Sequence, residues 1–352
     1  MPTLWLFDIE SHEQRYTSEW QKFLPLQLNK AMASHGKNQW KLEVVSGGQT
    51  SGTVSAGAFM NFAETNFYKA EQVANFSRRV AAGTVKRGDR LLFTDAWHPG
   101  VIHCRYMSDL LGLSLKIHSM WHAGSYDRHD FLGRTVTDKK WSFNFEKSVF
   151  HASDWNYFAT KFHRDLFLNS LKPGSDHKAK VVGWPMEYLP QLLSKYAALK
   201  KHKIILFPHR MAPEKQPEIF AYLSSMLPEY RLVFAQDRTR TKAEYHALIG
   251  QAVAVFSANK QETLGIGVYE GMLLGAIPVV PTRLSYKEIC RAWCYPGSWT
   301  RNLDSTKEYH NELTAHIRSA IDVRNPNQIA TLAKRVGQKF FDGSALYAQV
   351  LR

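Results

Sequence analysis

The chain is short of cysteine, of acidic charge and of long apolar runs, and each shortage excludes something. Three cysteines in 352 residues, Cys104, Cys290 and Cys294, are an odd number without a CxxC pair. That excludes a disulfide-built scaffold, and the Cys290–Cys294 spacing lacks the further Cys or His ligands of a zinc site. No stretch approaches the ~18 consecutive apolar residues of a membrane span. The opening run MPTLWLFDIE has neither a basic flank nor a small-residue cleavage site, so a soluble, cytoplasmic protein is expected. Acidic residues number 31 against 45 Lys and Arg, for a net charge of +14 and a pI near 9.6. An excess of that size points to a polyanionic partner: nucleic acid, an anionic membrane surface or an anionic glycan. It is spread along the chain, +5 over residues 1–190 and +9 over 191–352, so it is not a disordered basic tail. Internal repeats and low-complexity segments are also missing.

What is present is ample core material, 44% hydrophobic and 13% aromatic residues, enough for two domains. Short apolar runs alternate with amphipathic stretches, the pattern of βα units around parallel sheets. Strands are expected at 3–9, 41–47, 89–96, 113–120, 148–153 and 179–185, with helices over 16–34 and 100–112. After a Lys-rich helical bridge at 187–201 the alternation resumes, with strands at 203–209, 230–236, 252–258 and 276–282. The expected division is an N-terminal domain over 1–190, a C-terminal domain over 191–327, and a last helix over 328–352 returning to the first. The polar loop Ser46–Gly57 (SGGQTSGTVSAG) follows a strand end, where binding loops of open α/β sheets lie.

The chemistry concentrates in FPHRMAPEKQPEIF and, some fifty residues on, QETLGIGVYEGMLLGAIPVVP. Arg210 and Lys215 stand just past a strand, where two cations can converge on one diphosphate. Glu262 precedes the turn Thr263-Leu264-Gly265-Ile266-Gly267, which opens a helix bearing Glu270. Glycines admit a phosphate close to the backbone, and the first amides of a helix are unsatisfied donors. An acidic residue two turns along can accept hydrogen bonds from ribose hydroxyls.

These two motifs resemble the retaining glycosyltransferase family 4, whose signature is Arg-x4-Lys followed by Glu-x7-Glu; both spacings occur here, closed by GAIPVVP. The resemblance covers 203–290 well and the N-terminal half in layout only. It implies an α/β protein of the GT-B type, two Rossmann-like domains with parallel sheets facing a cleft, and a hexosyltransferase that keeps the anomeric configuration. By the same resemblance Arg210 and Lys215 bind the donor diphosphate and stabilise the leaving group. Glu262 meets the donor sugar, the amides of Leu264, Gly265, Ile266 and Gly267 the phosphate, and Glu270 the ribose. No cofactor or metal is implied, only a nucleotide-sugar co-substrate, with UDP-glucose the favoured donor. A family histidine after the corresponding N-terminal strand reaches the donor sugar; His118 fits best and His122 next, and Ser11 joins the donor side.

For the acceptor, Ser11–Gln14 (SHEQ), Pro208–Pro217 and Pro281–Ile289 resemble the group that mannosylates queuosine in transfer RNA. The HENQ-like segment of that group is replaced by HSMWHAG. Donor-side likeness with acceptor-side divergence suggests a related enzyme on another modified nucleic acid. Phage enzymes that glycosylate hydroxymethylpyrimidines in DNA fit best, DNA being favoured over transfer RNA, with the host cytoplasm as location. Such an enzyme needs cations for phosphates and aromatic surfaces for a displaced base. Trp97, His98, Trp121, Lys86, Arg87, Arg238 and Arg240 are the expected contacts. Competing readings are a peripheral enzyme of polysaccharide or glycolipid synthesis, with Phe62–Val80 as its amphipathic helix, and a non-catalytic nucleic-acid-binding module on a degenerate fold.

Overall fold

The computed structural model describes residues 1–13, 15–37, 39–51, 61–239 and 241–352. Gln14, Arg240 and residues 52–57 of the glycine-rich loop therefore lie outside it. The chain forms two compact units, Met1–Pro185 with Gly343–Arg352, and Met186–Asp342.

The first unit is built on six parallel strands: β1 (Thr3–Phe7), β2 (Lys41–Val45), β3 (Arg90–Phe93), β4 (Lys116–Trp121), β5 (Trp155–Phe158) and β6 (Ala179–Val181), in the order β2-β1-β3-β4-β5-β6. Every β1 residue is buried, as expected of a parallel strand covered on both faces. The core gathers Trp5, Phe7 and Phe93 from the strands with Phe76 and Phe150 from the helices. The second unit has β7 (His202–Phe207), β8 (Arg231–Phe234), β9 (Ala252–Phe256), β10 (Ile277–Pro281) and β11 (Cys294–Tyr295), in the order β11-β10-β9-β7-β8. All registered pairs in both sheets are parallel. In the second sheet β8 flanks β7 on one side and β9 on the other. The order reverses there, and the crevice outside the carboxyl ends of β7 and β9 is where such sheets bind ligands.

Two expectations give way. Residues 148–153 are not a strand: they end the helix Lys139–Ala152, which Asp138 caps by accepting the Lys140 amide and which buries Ser142, Glu146, Val149 and Phe150. That spacing is helical, and the strand follows it as β5. The single helix expected over 328–352 is two. Pro326–Phe340 packs on Ile266–Leu273 in the second unit, where Phe341 stacks on Tyr269 at 3.8 Å. The chain then breaks at Asp342-Gly343, and Ser344–Val350 packs in the first unit, where Arg90 donates to the Val350 carbonyl at 2.6 Å. Among the described residues no helix is long and apolar enough to cross a membrane.

Candidate functional site

In the second unit the chain leaves β7 through Pro208, His209 and Arg210, then makes a 3₁₀ turn at Pro213–Lys215. Gln216 follows in the left-handed region, φ 53°, an unfavourable conformation for a residue with a side chain. Its amide group holds the turn, donating to the Ala258 carbonyl at 2.5 Å and the Thr300 carbonyl at 2.9 Å. Lys215 is thereby buried with its Nζ donating to the Gln261 carbonyl at 2.6 Å and lying 3.4 Å from Glu262 Oε2.

Glu262 turns its other oxygen to the helix that follows. Its Oε1 accepts from the amides of Thr263, Leu264 and Gly265 at 3.1, 3.4 and 3.0 Å. Gly265 is left-handed, φ 83°, as the N-cap of Ile266–Leu273, and a Cβ at Gly267 would sit 3.1 Å from Pro208. A side chain there would press on the β7 loop, so glycine lets the helix head lie close against it. Of the five amides in the turn, those of Ile266 and Gly267 remain without an acceptor among the described residues. Both residues are partly exposed.

Burial raises the Glu262 pKa, but Lys215 and the Gly265 and Leu264 amides outweigh it, so the carboxyl stays ionised. Glu270 behaves likewise: burial is overcome by Lys242, 3.9 Å away, with His246 and the Tyr245 hydroxyl, which donates at 2.8 Å. His209 is neutral, its pKa driven to about 3 by burial and by Lys215 against the pull of Glu262. Its Nε2 is buried with no hydrogen-bond partner among the described residues. Arg210 is paired with Glu214, itself buried, so an incoming anion must compete with that carboxylate.

The structure thus joins Lys215 to Glu262 and the helix head, ties Arg210 to Glu214, and gives Glu270 its own cluster. Sequence reasoning missed His209, Glu214, Tyr245 and His246. His209 adjoins Arg210 at the strand end, a signal available beforehand; Tyr245 and His246 lie on a helix whose pattern gives no hint of Glu270. Lys242, at the start of the same helix as Tyr245 and His246, belongs to the Glu270 cluster. Arg238 is exposed on the short helix Ala235–Arg238 beyond β8.

In the first unit, Ser11, Trp97, His98 and His122 stand past the carboxyl ends of β1, β3 and β4. Ser11 is half-buried four residues beyond β1. His122 Nε2 donates to the Thr94 carbonyl at 2.6 Å, which leaves Nδ1 to accept from the Tyr16 hydroxyl at 2.7 Å. Its ring stacks on Trp184 at 4.8 Å. Burial lowers its pKa, so it is a neutral ring with both nitrogens engaged. Asp95 is ionised at a pKa of about 2, because Lys69 at 2.6 Å and the Trp97 amide, which donates to it at 3.1 Å, outweigh its burial. Trp97 is half-buried, donating to Glu146 at 2.7 Å, with its ring on Phe145.

Three expectations fail here. His118 lies inside β4, buried and hydrogen-bonded to Tyr157, with its pKa driven to about 3 by burial, so it meets no sugar. Trp121 is wholly buried, its indole donating to Asn156 and its ring against Phe167. His98 is buried between Gln72 and the Gly100 amide. Lys86 and Arg87 occupy the turn into β3, which the Gly88 amide bonds to the Leu113 carbonyl ahead of β4. They sit at the amino ends of the strands, opposite Trp97 and His122.

No protein-family model matches the chain, and no curated protein matches it. Solved structures do. The sucrose-phosphate synthase of Thermosynechococcus elongatus is similar over 99% of this chain and 97% of its own, with a TM-score of 0.59 and 11% identity. The catalytic domain of starch synthase IV from Arabidopsis thaliana, bound to ADP and acarbose, has a TM-score of 0.56 and 11% identity over 99% of both chains. WaaG, a glycosyltransferase involved in lipopolysaccharide biosynthesis, has a TM-score of 0.54 and 11% identity over 99% of this chain and 98% of its own. The fold is GT-B, with two Rossmann-like domains.

Proposed function

We propose that the protein is a glycosyltransferase that takes a hexose from a nucleoside diphosphate sugar and keeps the anomeric configuration. One observation carries the reading: on a GT-B fold, the Lys215 ammonium, the ionised Glu262 and the two unbonded amides of Ile266 and Gly267 meet at the switch point of the second sheet. An anion there gains a cation, two amide donors and the positive end of a helix. In this reading Lys215 and Arg210 stabilise the charge that grows on the departing diphosphate. Arg210 does so by exchanging Glu214 for phosphate. Glu262 orients the sugar hydroxyls, His209 offers them its unpartnered Nε2, and Glu270, held ionised, accepts from the ribose.

The acceptor in this proposal is a hydroxyl on a modified base of nucleic acid, 5-hydroxymethylpyrimidine in phage DNA before queuosine in transfer RNA, with UDP-glucose the favoured donor. The net charge of +14 supports it; the burial of His98 and Trp121 does not. A glycan or glycolipid acceptor is the second reading, favoured by similar structures whose names concern sucrose, starch and lipopolysaccharide synthesis. The test incubates the protein with UDP-, GDP- and ADP-sugars and a panel of hydroxymethylated DNA, transfer RNA and oligosaccharides, read by mass spectrometry. Sugar on DNA supports the first reading and sugar on an oligosaccharide the second. No transfer and no donor hydrolysis with any sugar nucleotide would overturn both.

A further inference from the structure

A cavity of about 1070 Å³ opens on the second unit, and none of Arg210, Lys215, Glu262 and Glu270 lines it. Its walls are the turn Arg291–Trp293 and the helix Pro326–Phe340; Ile289 and Leu332 are its buried floor. Along the helix, Asn327, Thr331 and Arg335 recur every four residues and so form one row. From Asn327 to Arg335 the row is roughly 12 Å long, at a rise of 1.5 Å per residue; Lys339, one step further along the helix, lies beyond the cavity lining.

The charges are one-sided. The helix, PNQIATLAKRVGQKF, has no acidic residue. Arg291 and Arg335 are exposed, and neither has a carboxylate partner among the described residues; the same holds for Lys334 and Lys339. Only Glu288 among the lining residues is acidic. Cations gathered without counter-charges repel one another and favour an anion between them. A single phosphate is too small for a row of this length. Trp293, half-buried on the facing wall, adds an aromatic surface of the kind on which an unpaired base stacks.

We propose that this groove holds a single-stranded segment of nucleic acid, with phosphates on Arg291 and Arg335 and a base against Trp293. The inference rests on the nucleic-acid reading of the acceptor and gives that reading a surface. Fluorescence anisotropy of a labelled oligothymidylate against salt tests it, with donor hydrolysis as the control. Each cation meeting a phosphate adds about 0.7 to the slope of log K against log salt. The Arg291→Gln/Arg335→Gln variant should therefore bind roughly tenfold more weakly with a slope shallower by about 1.4, and hydrolyse donor as before. Trp293→Ala should bind roughly tenfold more weakly with its slope unchanged; a thermal melt confirms that each variant is folded. Wild-type affinity and slope in the arginine variant would overturn the groove while leaving nucleic acid as acceptor. Heparin binding as tight as the oligonucleotide's, with no effect of Trp293→Ala, would also overturn it. A wild-type protein that ignores the oligonucleotide would overturn the groove, while sugar transfer to hydroxymethylated DNA decides the acceptor separately.

Discussion

Lys215 Nζ donates to the Gln261 carbonyl at 2.6 Å and at longer range to Gln261 Oε1 and Glu262 Oε2, at 3.3 and 3.4 Å. A charge held ready in that way is worth most when negative charge develops beside it. Lys215→Ala and Arg210→Ala should each lower kcat by about 10²-fold or more in steady-state assays, with the fold intact by circular dichroism. Glu270→Gln should act differently, raising the donor dissociation constant by roughly tenfold while kcat stays within a few fold, because in the proposed reaction Glu270 binds ribose and not the bond that breaks. Titration calorimetry with the nucleoside diphosphate checks it. The four motif residues were legible because their spacing alone sets them at a strand end and along one helix. Their partners were not: Glu214 shares a loop with Arg210, and His246 reaches Glu270 from another helix. His118 and Trp121 misled for a physical reason. A central parallel strand is covered on both faces, so its polar side chains are held inside the core, His118 Nδ1 by the Tyr157 hydroxyl and the Trp121 indole by Asn156.

The helix Lys242–Gln251 brings Lys242, Tyr245 and His246 to Glu270. It begins with a capping box in which the Thr241 hydroxyl accepts the Glu244 amide and Glu244 accepts the Thr241 amide. Losing an N-cap of this kind costs about 1 kcal/mol. Thr241→Ala should lower stability by that amount in urea unfolding and weaken donor binding, whereas Thr241→Ser should leave both near wild type. Element identity was readable wherever the pattern was long: Tyr16–Ser34 and Gly100–Leu110 fall where the sequence places helices. It failed at 148–153, where SVFHAS has the apolar content of a short strand. The deciding signals were the Asp138 cap, ten residues earlier, and the helical burial spacing that starts at Ser142. The break at Asp342-Gly343 carries no periodic signature, so the two terminal helices read as one.

At the scale of the whole chain, pH acts through buried neutral histidines. His98, His118, His163 and His209 have pKa values depressed to about 3 from an ordinary 6.5, in each case chiefly by burial. Between those values the unfolded chain binds protons that the folded chain does not. Stability is therefore complete above about pH 6.5 and falls as the pH drops toward 3, by up to about 1.4 kcal/mol per pH unit for each histidine. Asp8 and Glu146, whose pKa values burial raises, act in the opposite sense but are fewer. The melting temperature should decline steadily from pH 7 to pH 4; a flat profile would mean that these rings are not buried neutral. The division into two parallel-sheet units was legible because βα alternation stops and restarts around a Lys-rich bridge. The acceptor surface was not, since net charge reports how many cations there are and not where the fold puts them; Lys86 and Arg87 went to the amino ends of the strands. The account turns on sugar transfer at Lys215 and Glu262, and one measurement meets it directly: NMR of the product formed from an α-linked sugar nucleotide by the wild-type protein and by Lys215→Ala. The account predicts an α-linked product from the wild type and at least about 10²-fold slower formation by the variant. A β-linked product, or equal rates for the two proteins, would contradict it.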